Sequence, residues 1–169
     1  ISLIKKIKNK NVIGAILVKP KTFKKINRTD KKKRKIGKNN LTRSDIIKEL
    51  LSLSKKETKI IGSVGYNSRE IHQIRNQNKI KFGKDFLLIG GMGHTFAVSQ
   101  IIARNDKKNK VVCVDGDGSF LMHLGSFLTY KLNQKNFKYI LINNDSHESI
   151  GNISINKKIK YKKISESFN

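Results

Sequence analysis

The sequence predicts an α/β protein: a parallel sheet with helices on both faces, incomplete at both ends. Three observations predict it. Short apolar runs at 58–62 (TKIIG), 86–89 (FLLI), 110–114 (KVVCV) and 137–142 (FKYILI) alternate with helix-period segments at βαβ spacing. The runs are nearly continuous rather than alternating, as strands buried on both faces must be. Each glycine-rich or polar motif follows a run directly, and open parallel sheets bind ligands at the carboxyl ends of their strands.

The elements follow in order. Residues 12–19, VIGAILVK, read as a buried strand bounded by Pro20. Residues 21–41 are basic, polar and aperiodic, and read as a linker. Thr42-Arg43-Ser44-Asp45 resembles a capping box, and Ile46, Ile47, Leu50 and Leu51 follow at helical spacing. After the strand at 58–62, SVGYNS makes a turn. A helix over 67–76 turns Ile71 and Ile74 inward. The strand at 86–89 meets the turn Gly90-Gly91-Met92-Gly93-His94. The helix behind it offers Ala97, Val98, Ile101 and Ile102 as one face. Phe120, Leu121, Leu124, Phe127 and Leu128 mark a helix after the strand at 110–114. A helix starts within 155–169, where the chain stops short of a finished element. The domains expected are therefore 1–20, the tail of a preceding domain; 21–41, a linker; and 42–169, the main domain.

Composition narrows the function. The formal charge is +25, from 37 Lys and Arg against 12 Asp and Glu. Such a charge invites a basic nucleic-acid-binding module as the rival of an enzyme. Two features argue against it. The cations are 31 Lys and only 6 Arg, whereas base and phosphate recognition favours the Arg fork. No lysine falls in 85–106 or 111–130, where the motifs lie. The run Lys31-Lys32-Lys33-Arg34-Lys35 reads as a solvated linker. No apolar run approaches the roughly 20 residues of a membrane span. The single cysteine, Cys113, lies inside an apolar run and fits a reducing, cytoplasmic compartment.

The chemistry concentrates in two strand ends. Gly116-Asp117-Gly118 closes one apolar run, and Asn143-Asn144 closes the next, with 24 residues between Gly118 and Asn143. Gly116 and Gly118 let backbone N–H groups approach a ligand closely, and Ser119 opens a helix whose start favours anions. Phosphate oxygens and a carboxylate need a cation between them, and Mg²⁺ prefers such oxygen donors. A calcium loop beginning at Asp115 would need Gly at its sixth position and Glu at its twelfth, where Phe120 and Ser126 stand. A dinucleotide fingerprint fails at Leu121.

Gly-Asp-Gly, 24 residues, then Asn-Asn resembles the cofactor signature of thiamine-diphosphate enzymes. The resemblance implies their diphosphate-binding fold. It implies Asp117 and Asn144 as side-chain Mg²⁺ ligands, the Ser146 carbonyl as a third, and Gly118 and Ser119 against the diphosphate. The turn at 90–94 is similar to the one that grips the cofactor's aminopyrimidine. By that likeness the Gly90 carbonyl accepts from the 4′-amino group, the Met92 N–H donates to the ring, and the Met92 side chain wedges under the cofactor. SVGYNSREIHQIR, DFLLIGGMGH, VDGDGSFLMHLGS and NNDSHESIGN resemble segments of phosphonopyruvate decarboxylases, with sulfopyruvate decarboxylases close to them. AILVKPKTF is similar to the last strand of that family's pyrimidine-binding domain. The chain departs from the family at Asp145-Ser146, where Gly-Ala often stands, and in its lysine-rich segment after Asn152.

The resemblance implies a carboxy-lyase that decarboxylates a 3-substituted pyruvate, phosphonopyruvate to phosphonoacetaldehyde first and sulfopyruvate as the alternative. An inactive fragment of such an enzyme is a further alternative. His94, His147 and Glu148 are the candidates for proton transfer, and Ser68 and Arg69 for holding the anionic substrate. The activating glutamate of this family comes from a pyrimidine-binding domain. The chain is therefore expected to need that domain from another subunit, in a homo-oligomer or a partner chain, and to be inactive alone.

Overall fold

In the computed structural model, residues 41–79, 83–129 and 134–168 are described, with single residues 5, 9, 10, 19 and 22 before them. The chain divides into two units, Ile1–Asn39 and Asn40–Asn169. In the first, Lys5, Asn9 and Lys10 are helical and the Thr22 hydroxyl donates to the Lys19 carbonyl at 2.7 Å. Residues 12–18 of the strand expected at 12–19 and nearly all of the linker at 21–41 lie outside the described residues.

The second unit opens with α1 (Arg43–Leu53), which starts at the expected capping box. The Thr42 hydroxyl accepts from the Asp45 N–H at 3.2 Å, and the Asp45 carboxylate accepts from the Thr42 N–H at 2.9 Å. Then come β1 (Lys59–Gly62), α2 (Tyr66–Gln77), β2 (Phe86–Leu87), α3 (Thr95–Asn105) and β3 (Val111–Gly116). After them follow α4 (Asp117–Met122), α5 (Ser126–Thr129), β4 (Phe137–Ile142), the small strands β5 (Ser146–His147) and β6 (Ile153–Ser154), and α6 (Tyr161–Glu166). β1 to β4 form one parallel sheet in the order β2-β1-β3-β4, while β5 and β6 pair antiparallel beside it.

The strands bury both faces, which explains their unbroken apolar runs. Ile60, Val112, Val114 and Ile142 meet Ile47 and Leu51 of α1 and Ile71 and Ile74 of α2. Ile61, Val111, Cys113 and Phe137, one residue out of step, meet Phe96 and Ala103 of α3, Phe120 of α4 and Phe127 of α5. Phe96 stacks on Phe127 with ring centroids 3.8 Å apart. Tyr161 and Ile164 of α6 close over this cluster. A bidentate pair from Arg75 to Asp85, with side chains only 6% and 4% exposed, ties the end of α2 to the segment entering β2.

Three elements differ from expectation. The strand at 86–89 pairs only over Phe86–Leu87, and Ile89 is fully exposed. The inward face of α3 is Phe96, Ser99, Gln100 and Ala103, with Val98 and Ile102 flanking it and Ile101 half exposed. Ser99 bonds back to the Thr95 carbonyl and Gln100 accepts from Gln134, so polar side chains occupy the buried stripe. The single helix expected over Phe120–Leu128 is two short helices broken at His123–Gly125, and Leu128 is exposed. Among the described residues no helix is long and apolar enough to cross a membrane.

Candidate functional site

The carboxyl ends of β1, β3 and β4 open into one cleft. Ser63 leaves β1, its N–H donating to the Val114 carbonyl at 2.9 Å. Gly116 ends β3 and caps α4, so Asp117 is the first residue of that helix and is 3% exposed. Its Oδ1 accepts from the Gly118 N–H at 2.8 Å. Its Oδ2 accepts from the N–H groups of Asn144 at 3.1 Å and Ser146 at 3.3 Å. The acid after β3 therefore holds the loop after β4 through that loop's backbone.

The paired amides divide their work. The Asn143 side chain accepts from the Asp145 N–H at 3.0 Å, an Asx turn that supports Asp145 at φ 51°. The Asn144 side chain lines the cleft, and its Oδ1 accepts from the Ser146 N–H at 3.1 Å.

A buried acid lies beneath. Asp115 is 1% exposed and accepts from the Tyr139 hydroxyl and the Gly116 N–H, both at 2.9 Å. Burial pushes its carboxyl up, against hydrogen bonds from Ser119, Tyr139, Gly116 and Ser63 that pull it down. Ser119 also accepts from the Gly93 N–H at 3.2 Å, which joins the turn after β2 to the turn after β3. Gly90, Gly91 and Gly93 all have positive φ, so this turn needs its glycines. A β-carbon on Gly118 would fall 2.1 Å from the His147 ring; only glycine admits the imidazole there.

Arg43, the first residue of α1, forms one wall of the mouth. Its guanidinium pairs with Glu148 and lies 3.6 Å from Glu70. It also lies 5.5 Å from the Tyr66 ring centroid, and Arg69 lies 5.6 Å from the same centroid.

Of the residues singled out from sequence, Met92, Gly116, Asp117, Gly118 and Ser119 line this cleft, as do Asn144, Ser146, His147 and Glu148. Four do not. Gly90 is exposed at the start of its turn. His94 is exposed and packs edge-on against His123 at 4.0 Å. The Ser68 hydroxyl is buried and donates to the Ser63 carbonyl at 2.8 Å. Arg69 is exposed over Tyr66. The cleft adds residues that sequence reading missed: Arg43, Ser63, Tyr66 and Asn67, whose amide donates to the Ser63 hydroxyl at 2.9 Å. SVGYNS, read as a plain turn, was the available signal for three of them; Arg43 had none beyond its cap.

Residues 63–167, from the end of β1 through α6, match the family model described as thiamine pyrophosphate enzyme, C-terminal TPP binding domain. The chain belongs to this family. Thiamine diphosphate is thus the cofactor of this TPP-binding domain. Curated relatives include the sulfopyruvate decarboxylase subunit beta of Methanocaldococcus jannaschii, 32% identical over 111 residues, 65% of this chain and 56% of that protein. The subunit beta of Methanococcus maripaludis is 33% identical over 113 residues, 66% of this chain and 57% of that protein. The phosphonopyruvate decarboxylase of Streptomyces viridochromogenes is 30% identical over 111 residues, 65% of this chain and 26% of that protein. The chain spans a little over half the length of the two beta subunits.

The cleft of this TPP-binding domain suits a divalent cation bridging a diphosphate. Its donors are one carboxylate, one amide oxygen and the backbone of one loop, a hard oxygen set. Among the described residues no three His, Cys, Asp or Glu side chains cluster as a metal site, and Asp117 and Glu148 are the two acids lining the cleft. The three hydrogen bonds to Asp117 leave lone-pair capacity on its carboxylate.

Proposed function

We propose that this chain is the diphosphate-binding part of a thiamine-diphosphate- and Mg²⁺-dependent decarboxylase. Its substrate is a pyruvate bearing a sulfonate or a phosphonate at C3. The observation that carries the reading is the union of Asp117, Asn144 and Ser146 at two adjacent strand ends. The names of the relatives support the chemistry and both substrates.

Asp117, the Asn144 amide oxygen and the Ser146 carbonyl would hold the cation. The N–H groups of Gly118 and Ser119 would meet the diphosphate, and the Met92 side chain would set the cofactor's bend. Bound thiamine diphosphate supplies an electron sink for decarboxylation. His147 and Glu148 stand beside the cation loop, placed to hold or move a proton. His94 lies outside the cleft lining, exposed beside His123. The names "subunit beta" support a partner subunit; in this reading that partner brings the pyrimidine-binding domain and its glutamate.

Calorimetric titration of the chain with thiamine diphosphate tests this. Binding is expected only with Mg²⁺, and Asp117→Ala should weaken it by about 10- to 100-fold. Equal binding by wild type and Asp117→Ala would sink the reading. Decarboxylation of sulfopyruvate and phosphonopyruvate, assayed with and without the partner subunit, assigns the substrate. Turnover by the chain alone would refute the need for a partner.

A further inference from the structure

We infer that Arg43 is the anion-recognition residue of the cleft. Its guanidinium, held by Glu148, exchanges that carboxylate for a tetrahedral oxyanion: the cofactor's diphosphate, or the sulfonate or phosphonate of the substrate. The inference rests on the function proposed above and names the residue that reads its anion.

Residue choice is the first argument. Of 37 cationic residues only 6 are Arg, and one of them is a wall of the cleft. A lysine would serve as a mere counter-charge. A planar fork is required where two oxygens of a carboxylate, phosphate or sulfonate are gripped together.

Pre-organisation is the second. Arg43 is fixed at the start of α1 by the Thr42–Asp45 capping box, and the Tyr66 ring supports its guanidinium. The side chain is 15% exposed, so the fork is aimed before any ligand arrives.

Unspent donors are the third. Nε of Arg43 is buried with no hydrogen-bond partner. The Glu70 contact, at 3.6 Å, is an ion pair longer than a hydrogen bond. Glu148 is the strong partner, reaching across 105 residues of sequence, and its side chain is the more exposed of the two acids at 37% against 28%. It sits in the short turn Glu148–Ile150, directly after β5, whose Ser146 N–H donates to Asp117. Of the two carboxylates, it is the one that returns to water at least cost. Asp117 lines the same cleft and repels an anion, so the cation must be seated for the exchange to proceed.

Calorimetry on the full chain with Mg²⁺ tests the exchange in two arms. One titrates thiamine diphosphate; the other titrates 3-sulfopropanoate into chain already loaded with thiamine diphosphate. Arg43→Gln should weaken at least one arm by about 10- to 100-fold, and the arm affected identifies which oxyanion Arg43 holds. Arg43→Lys, which keeps the charge and the helix start, should melt near wild type yet recover only part of the binding. Glu148→Gln removes the competing carboxylate and should tighten the same arm severalfold, a gain that a merely structural ion pair would not produce. Unchanged affinity in both arms for Arg43→Gln overturns the inference and leaves the proposed function standing. Failure of the wild-type chain to bind thiamine diphosphate overturns both.

Discussion

The Tyr161 hydroxyl is buried without a hydrogen-bond partner and feels the charges of Asp117 and Asp145. Burial, then those two carboxylates, push its ionisation up to about 12. A folded-state value above the unfolded one, about 10, means stability is intact below pH 10 and lost as pH rises towards 12. Tyr161→Phe should therefore lose less stability than wild type between denaturant melts at pH 8 and pH 11. At pH 8 the two should agree within about 1 kcal/mol, because the hydroxyl makes no bond to lose. Single residues differed in how legible they were. Asp117 and Asn144 ended apolar runs, so their position at strand tips was readable from the sequence. Arg43 was not, because its meaning comes from Glu148 and Tyr66, which only the fold brings near. Ser68 and Arg69 lay in the right segment, but a helix turns one to its own backbone and the other to solvent.

Elements depend on local devices that can be removed one at a time. Thr42→Ala deletes the cap of α1 and should lower stability by about 1 kcal/mol in a denaturant melt. The same hydroxyl and N–H hold the Asp45 carboxyl below its usual range. A depressed folded value adds stability above the unfolded carboxylate range that fades as pH falls, so Thr42→Ala should also flatten the acid limb. Asp85→Ala removes the bidentate carboxylate from buried Arg75 and should be costlier, about 3 to 5 kcal/mol. Element types were legible where an apolar run was unbroken, as in β3 and β4, or where apolar residues recurred at helical spacing, as in α2. The face of α3 was not, because it buries Thr95, Ser99 and Gln100. Nor was the β5–β6 hairpin, whose strands are two residues each and carry no repeating pattern.

For the whole molecule, the charge of +25 is the dominant electrostatic fact. Like charges at that density repel one another in the compact state. Added salt screens them over about 10 Å at 0.1 M, so the melting temperature should rise from 20 mM to 300 mM NaCl. A fall would mean that pairs such as Lys59–Asp106 outweigh the repulsion. The parallel sheet with two covered faces was legible from unbroken apolar runs, whereas the strand order was not, because crossovers leave no local signature. That order governs how the chain can assemble during synthesis. β1 leaves the ribosome first of the four strands, yet it lies inside the sheet between β2 and β3. With β2 it shares only two register positions, and its long partnership with β3 closes a loop of about fifty residues. The nascent chain must therefore shelter Ile60 and Ile61 until β3 has emerged, and non-local closure of this kind folds slowly. Asn144 and Ser146 follow β4, so the cleft is the last part of the sheet's edge to be completed, and ligand binding can report when folding has finished.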